Sequence, residues 1–135
     1  MCGIIGILPR PGSRQAPSSA DILRLLDAAV EAGSNLQSTA DALMAVDQLL
    51  RGDAGIQALA GNLTLAGDIM SRLSVIDARA EEEERRLDAL HADTATLDAQ
   101  AAVLSRVKDA AWAIRCDRLR TADEVHALAG RNASV

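Results

Sequence analysis

The sequence has no phenylalanine and no tyrosine, and Trp112 is its single tryptophan. With so few large side chains the core must be thin. Helices with alanine on the inner face can pack closely, but each buries little apolar area. Only two cysteines occur, Cys2 and Cys116, which excludes a disulfide framework. No basic stripe is present and the net charge is −5, which disfavours sequence-nonspecific nucleic-acid binding. No positively charged leader with an apolar segment opens the chain, and no apolar run reaches membrane-spanning length. The expected location is therefore cytoplasmic, with no membrane partner. In that setting the triplets Asn62-Leu63-Thr64 and Asn132-Ala133-Ser134 carry no meaning as glycosylation sites.

What is present is mostly helical patterning. Pro9, Pro11 and Pro17 bracket a linker. Ser18 and Asp21 then have the spacing of a capping box. Ile22, Leu25, Leu26, Ala29 and Val30 make one helical face, closed by Gly33. Ser38 and Asp41 repeat the start signal, and Gly52 stops a second helix carrying Leu43, Met44, Val46, Leu49 and Leu50. Asp53 caps a short third helix that ends at Gly61. These spacings predict helices at about 20–32, 39–51 and 54–60, the first two as an antiparallel pair.

From Asp68 to Ala129 there is neither glycine nor proline. A four-three alternation runs through Ile69, Leu73, Ile76, Ala80, Glu83, Leu87, Leu90, Thr94, Leu97, Ala101, Leu104, Lys108 and Ala111, a heptad seam of about six heptads. Glu83, Thr94 and Lys108 are polar breaks in it. Glu81–Arg85 and Glu82–Arg86 have the favourable i, i+4 orientation. The seam predicts one long helix over about 63–115; a bend at His91–Thr96 into a hairpin is the alternative. Thr121 and Glu124 predict a last short helix, Ala122 to Ala129.

The chemistry lies at the start. Met1-Cys2-Gly3-Ile4-Ile5-Gly6-Ile7-Leu8 is a short apolar run rich in β-branched residues and reads as a buried strand. Removal of Met1 would put the Cys2 thiol and a free α-amine on one residue. Such an amine titrates near ~7.7–8.0, so it can take the thiol proton at neutral pH and release the nucleophilic thiolate.

This run resembles the N-terminus of the class II glutamine amidotransferases, most closely the glutamine-dependent fructose-6-phosphate aminotransferases. The resemblance implies an α+β domain of the N-terminal-nucleophile hydrolase type, with Cys2 as nucleophile and its own α-amine as base. Glutamine and a sugar phosphate are the implied partners, and no cofactor or metal is. A variant of that family carries a long helical insertion after the first strand, and Ser18 to about Arg120 looks like that insertion. The family's Asn-Gly pair, its Arg-containing glutamine-carboxylate segment and its Arg-Gly-x-Asp-Ser-Ala-Gly stretch do not occur here. Substrate-binding residues therefore remain unassigned. The resulting expectation is an N-terminal part of a larger enzyme, divided as 1–17 (nucleophile strand and linker), 18–120 (helical insertion) and 121–135 (short helix and truncated end). Its fold would be mainly α: one short N-terminal strand, a helical hairpin and one long heptad helix. On its own the 135-residue chain should not be active.

The competing expectation is a helical coiled-coil interaction module without catalysis, self-associating through the heptad seam. Cys2, His91, Cys116 and His126 match no compact zinc spacing. Cys116 reads as a small helix-packing residue, His91 as a solvated flank, and Trp112 with Ile114 and Leu119 as an anchor for the long helix.

Overall fold

The computed structural model describes residues 14–133, and every regular element among them is helical. In chain order these are α1 (Ser19–Glu31), α2 (Leu36–Leu49), α3 (Gly52–Leu59), α4 (Leu63–Asp88), α5 (Thr94–Trp112), a π-helical segment (Ala113–Leu119) and α6 (Arg120–Ala133). The expected N-terminal strand falls in residues 1–13, outside the described residues. The α+β class does not hold: no strand and no sheet occurs among the described residues.

Local chemistry sets most helix ends. The Ser18 hydroxyl accepts the Asp21 amide at 3.1 Å and opens α1. Asn35 opens α2 by accepting the Ser38 amide at 3.2 Å, so α2 starts three residues earlier than the Ser38–Asp41 signal suggested. Asn62 does the same for α4 with the Leu65 amide, at 3.1 Å. The third helix has no side-chain cap; Asp53 sits inside its first turn. Gly33, Gly52 and Gly61 all adopt positive φ, as helix-terminating glycines do. At the α2–α3 corner a second glycine is required. A Cβ on Gly55 would lie 1.8 Å from the Leu50 carbonyl oxygen, so α3 crosses the end of α2 backbone to backbone.

The single helix expected over 63–115 is overturned. It is two helices, α4 and α5, separated by residues 89–93, and they pack against each other as a hairpin. The alternative bend at His91–Thr96 is close to the observed one. Folding back lets the seam satisfy itself. Ile69, Leu73, Ile76 and Ala80 of α4 enter the same core as Leu104, Val107 and Ala111 of α5. Ile22, Leu26 and Ala29 of α1, and Ala40, Leu43 and Val46 of α2, complete that core. The polar break at Lys108 is resolved across the hairpin, where Lys108 reaches Glu84 at 2.6 Å. Arg86 pairs with Glu83, not Glu82. The tip of the hairpin projects beyond the core, and Leu90 there is 37 % exposed.

Two further corrections concern the C-terminal third. Ile114 is fully buried, yet Trp112 stands 57 % exposed and anchors nothing. The Thr121–Glu124 box opens no helix, because the chain is already helical: α5 passes through the wider π-helical turns directly into α6.

Candidate functional site

Cys2, the residue carrying the proposed chemistry, lies outside the described residues. The other sequence candidates do not come together. His91 is exposed in the α4–α5 connection. Cys116 is half-buried in the π-helical segment as a free thiol. His126 lies on α6 with its ring against Gly61. Among the described residues no group of three His, Cys, Asp or Glu side chains could hold a metal ion.

The structure instead builds a polar node that sequence reading missed, at the last turn of α2. Asp47 is 7 % exposed, and its two carboxylate oxygens are divided between two arginines. Oδ1 accepts from Arg118 Nε of the π-helical segment at 2.8 Å. Oδ2 accepts from Arg51 Nε at 3.1 Å and Arg51 Nη2 at 2.8 Å. Burial pushes the Asp47 carboxyl up, but the hydrogen bonds from Arg118 and Arg51, and their charges, outweigh it and hold the group below its ordinary value. The Asp47–Arg51 pair has helical i, i+4 spacing and was legible in principle; Arg118, 71 residues away, was not.

One residue further on, the same turn receives the start of the described chain. Arg14 Nη1 donates to the Gln48 carbonyl at 2.7 Å, and Arg14 Nη2 donates to the Arg51 carbonyl. The Gln48 carbonyl lies in the last turn of α2, where acceptors outnumber intrahelical donors, and Arg51 is the residue that leads from α2 into α3. The last turn of α2 contains no basic residue of its own, so a guanidinium from outside the helix supplies both the donors and the favourable charge. The end of α1 is treated the same way: Arg79 of α4 donates to the Val30 carbonyl at 2.7 Å.

At the opposite end of α2 lies an open cleft of about 320 Å³, lined by Leu36, Glu83, Arg86, Leu87, Gln100 and Val103 among others. Its rim charges, Glu83 and Arg86, are already paired with each other. The Gln100 side-chain oxygen, Oε1, is buried in its wall without a hydrogen-bond donor.

Compared with protein-family models, with characterised proteins and with solved structures, the chain matches none. No helix among the described residues is long and apolar enough to cross a membrane.

Proposed function

We propose that this chain is the N-terminal part of a class II glutamine amidotransferase, with Cys2 as nucleophile, and that residues 18–120 are a helical module set into it after the nucleophile strand and its linker. The observation that supports this is the node at the end of α2. A module set into a host domain has to return the chain close to where it took it up. Here the incoming chain is tied to α2 through Arg14 on Gln48, and the outgoing chain is tied through Arg118 on the adjacent Asp47. Between those ties the chain closes a core of its own.

In the intact enzyme the Cys2 thiolate would attack the side-chain amide carbon of glutamine, its proton having gone to the α-amine. The α-ammonium would return that proton to the departing nitrogen, so the tetrahedral intermediate would expel ammonia and leave a thioester to glutamate, which water then hydrolyses. The ammonia would pass to a sugar-phosphate acceptor, fructose 6-phosphate being the one the resemblance favours.

The test is mass spectrometry of the purified chain, combined with the reading frame beyond Val135. Met1 should be absent, because an extended amine cannot act as the base. The frame should continue into an Arg-Gly-x-Asp-Ser-Ala-Gly stretch. In that longer protein a glutamine-analogue electrophile should label Cys2 and spare Cys116. Retained Met1 together with a stop codon would overturn the reading.

A second reading, a helical interaction module, is favoured by α6. Apart from Ala122 its residues are exposed, including Val125 and Leu128. Sedimentation across the micromolar range tests it. Self-association lost on Val125→Glu and Leu128→Glu substitution supports this reading, and a strict monomer counts against it.

A further inference from the structure

We infer that the last turn of α2 is a two-armed clamp, in which Arg14 and Arg118 are positioning residues that fix the separation between the incoming and outgoing chain. Its purpose rests on the amidotransferase reading, since an inserted module must hold its two connections at a set spacing.

The arms are chemically different and land on neighbouring residues. The incoming arm is a guanidinium on main-chain carbonyls, those of Gln48 and Arg51. It needs only that α2 end where it does, and that end is enforced from the other side by Gly52 at φ +69° and by the close crossing of Gly55 over Leu50. The outgoing arm is a guanidinium on the Asp47 carboxylate. Its side chains are mostly buried, Arg118 at 22 % exposure and Asp47 at 10 %, so water competes poorly for it. Arg51 belongs to both arms. Its side chain holds the second Asp47 oxygen while its main-chain carbonyl receives Arg14. A second tie keeps the outgoing segment aligned: Arg115, three residues before Arg118, pairs with Asp77 of α4. The π-helical segment is thus held to two different helices, and its rotation about its own axis is fixed.

The two sides of the clamp make separable predictions. Arg14 is exposed and touches only main-chain acceptors, so removing its charge should free the incoming chain without unfolding the bundle. Asp47 is buried between two cations, so losing its charge should loosen the outgoing chain and also destabilise the fold.

The experiment is pulsed electron–electron distance measurement between nitroxides at Gln15→Cys and Thr121→Cys. It uses the full 135-residue chain with Cys2→Ser and Cys116→Ala, and compares it with chains also carrying Arg14→Gln, Arg118→Gln or Asp47→Asn. The parent should give one narrow distance peak. Arg14→Gln should lose that peak while the helical circular dichroism and melting midpoint stay at the parent's values. Asp47→Asn should lose the peak and melt earlier. If Arg118→Gln fails to fold, Arg14→Gln alone decides the matter. A peak that stays narrow and unmoved in folded Arg14→Gln overturns the clamp. Because both native thiols are absent, the result is independent of glutamine chemistry. A working clamp, together with a Cys2 that no glutamine-analogue electrophile labels in the longer protein, would overturn only the amidotransferase reading.

Discussion

Gly55→Ala should be among the most damaging single-methyl additions this chain can suffer. The new Cβ would sit 1.8 Å from the Leu50 carbonyl oxygen, 2.2 Å from its carbonyl carbon and 2.6 Å from its Cα. Ordinary contact lies near 3.5 Å, so α3 would have to retreat by roughly 1.5 Å or more. No rotamer change relieves the clash, because the obstacle is main chain. A retreat would draw Ala54 and Leu59, both 5 % exposed, off the core and strain the turn at Gly52. Overpacking in cores usually costs about 1–3 kcal/mol, and a rigid main-chain obstacle puts this case at about 3 kcal/mol or more. In a chain of this size that is a fall of roughly 10 °C or more in melting midpoint. The control is Gly67→Ala inside α4, where the new carbon meets nothing within 4 Å beyond its own helix backbone. There alanine should stabilise by about 0.5–1 kcal/mol through helix propensity. Thermal and urea unfolding followed by helical circular dichroism reads both. If Gly55→Ala melts at or above the parent's midpoint, the close crossing of α3 over Leu50 is wrong.

The remaining predictions use the same melts. Asp47→Asn leaves two arginines without their shared carboxylate and should cost about 3 kcal/mol at neutral pH. Because the folded carboxyl is held below 3.8, its stabilising contribution is complete above that value and is lost as pH falls through the lower, folded-state value. The parent should therefore lose more melting temperature than Asp47→Asn between about pH 4 and pH 2, and equal losses would refute the pairing. Lys108→Ala should cost about 0.5 kcal/mol at most, since Lys108 and Glu84 are 40 % and 51 % exposed, and added salt should erase the difference. Trp112→Ala should stay within about 0.5 kcal/mol of the parent, and acrylamide should quench Trp112 freely in the folded chain. Strongly protected fluorescence would mean that the indole is covered.

Much of the bundle was legible because its signals are local. The Ser18 cap and the stops at Gly33, Gly52 and Gly61 each depend on a few consecutive residues. The early start of α2 was missed because Asn35 and Ser38 both qualify as caps, and only packing chooses between them. The hairpin was misread as one helix for a similar reason. Residues 89–93 contain neither glycine nor proline, and a heptad seam reads the same whether its partner is another chain or its own second half. Folding back becomes visible only through pairs such as Lys108–Glu84. The candidate site was least legible. Asp47–Arg51 has helical spacing, but Arg14 and Arg118 reach the same turn from opposite ends of the sequence, and no local pattern announces a meeting at that distance. Trp112 reads as an anchor together with Ile114 and Leu119, but two positions along a helix point about 200° apart, so the turn that buries Ile114 leaves Trp112 exposed.

The π-helical segment bears on how this chain can change over generations. Winding through i→i+5 bonds accommodates one residue more than a regular helix of the same rise. Each residue turns an α-helix by about 100°, so this surplus decides which side of α6 meets α3. Loss of one codon between Ala113 and Leu119 would let the rod regularise without breaking. It would swing His126 away from Gly61 and present a different strip of α6 to the outside. A single small deletion there could thus redirect the far end of the molecule, at the expense of the ties from Arg115 to Asp77 and from Arg118 to Asp47.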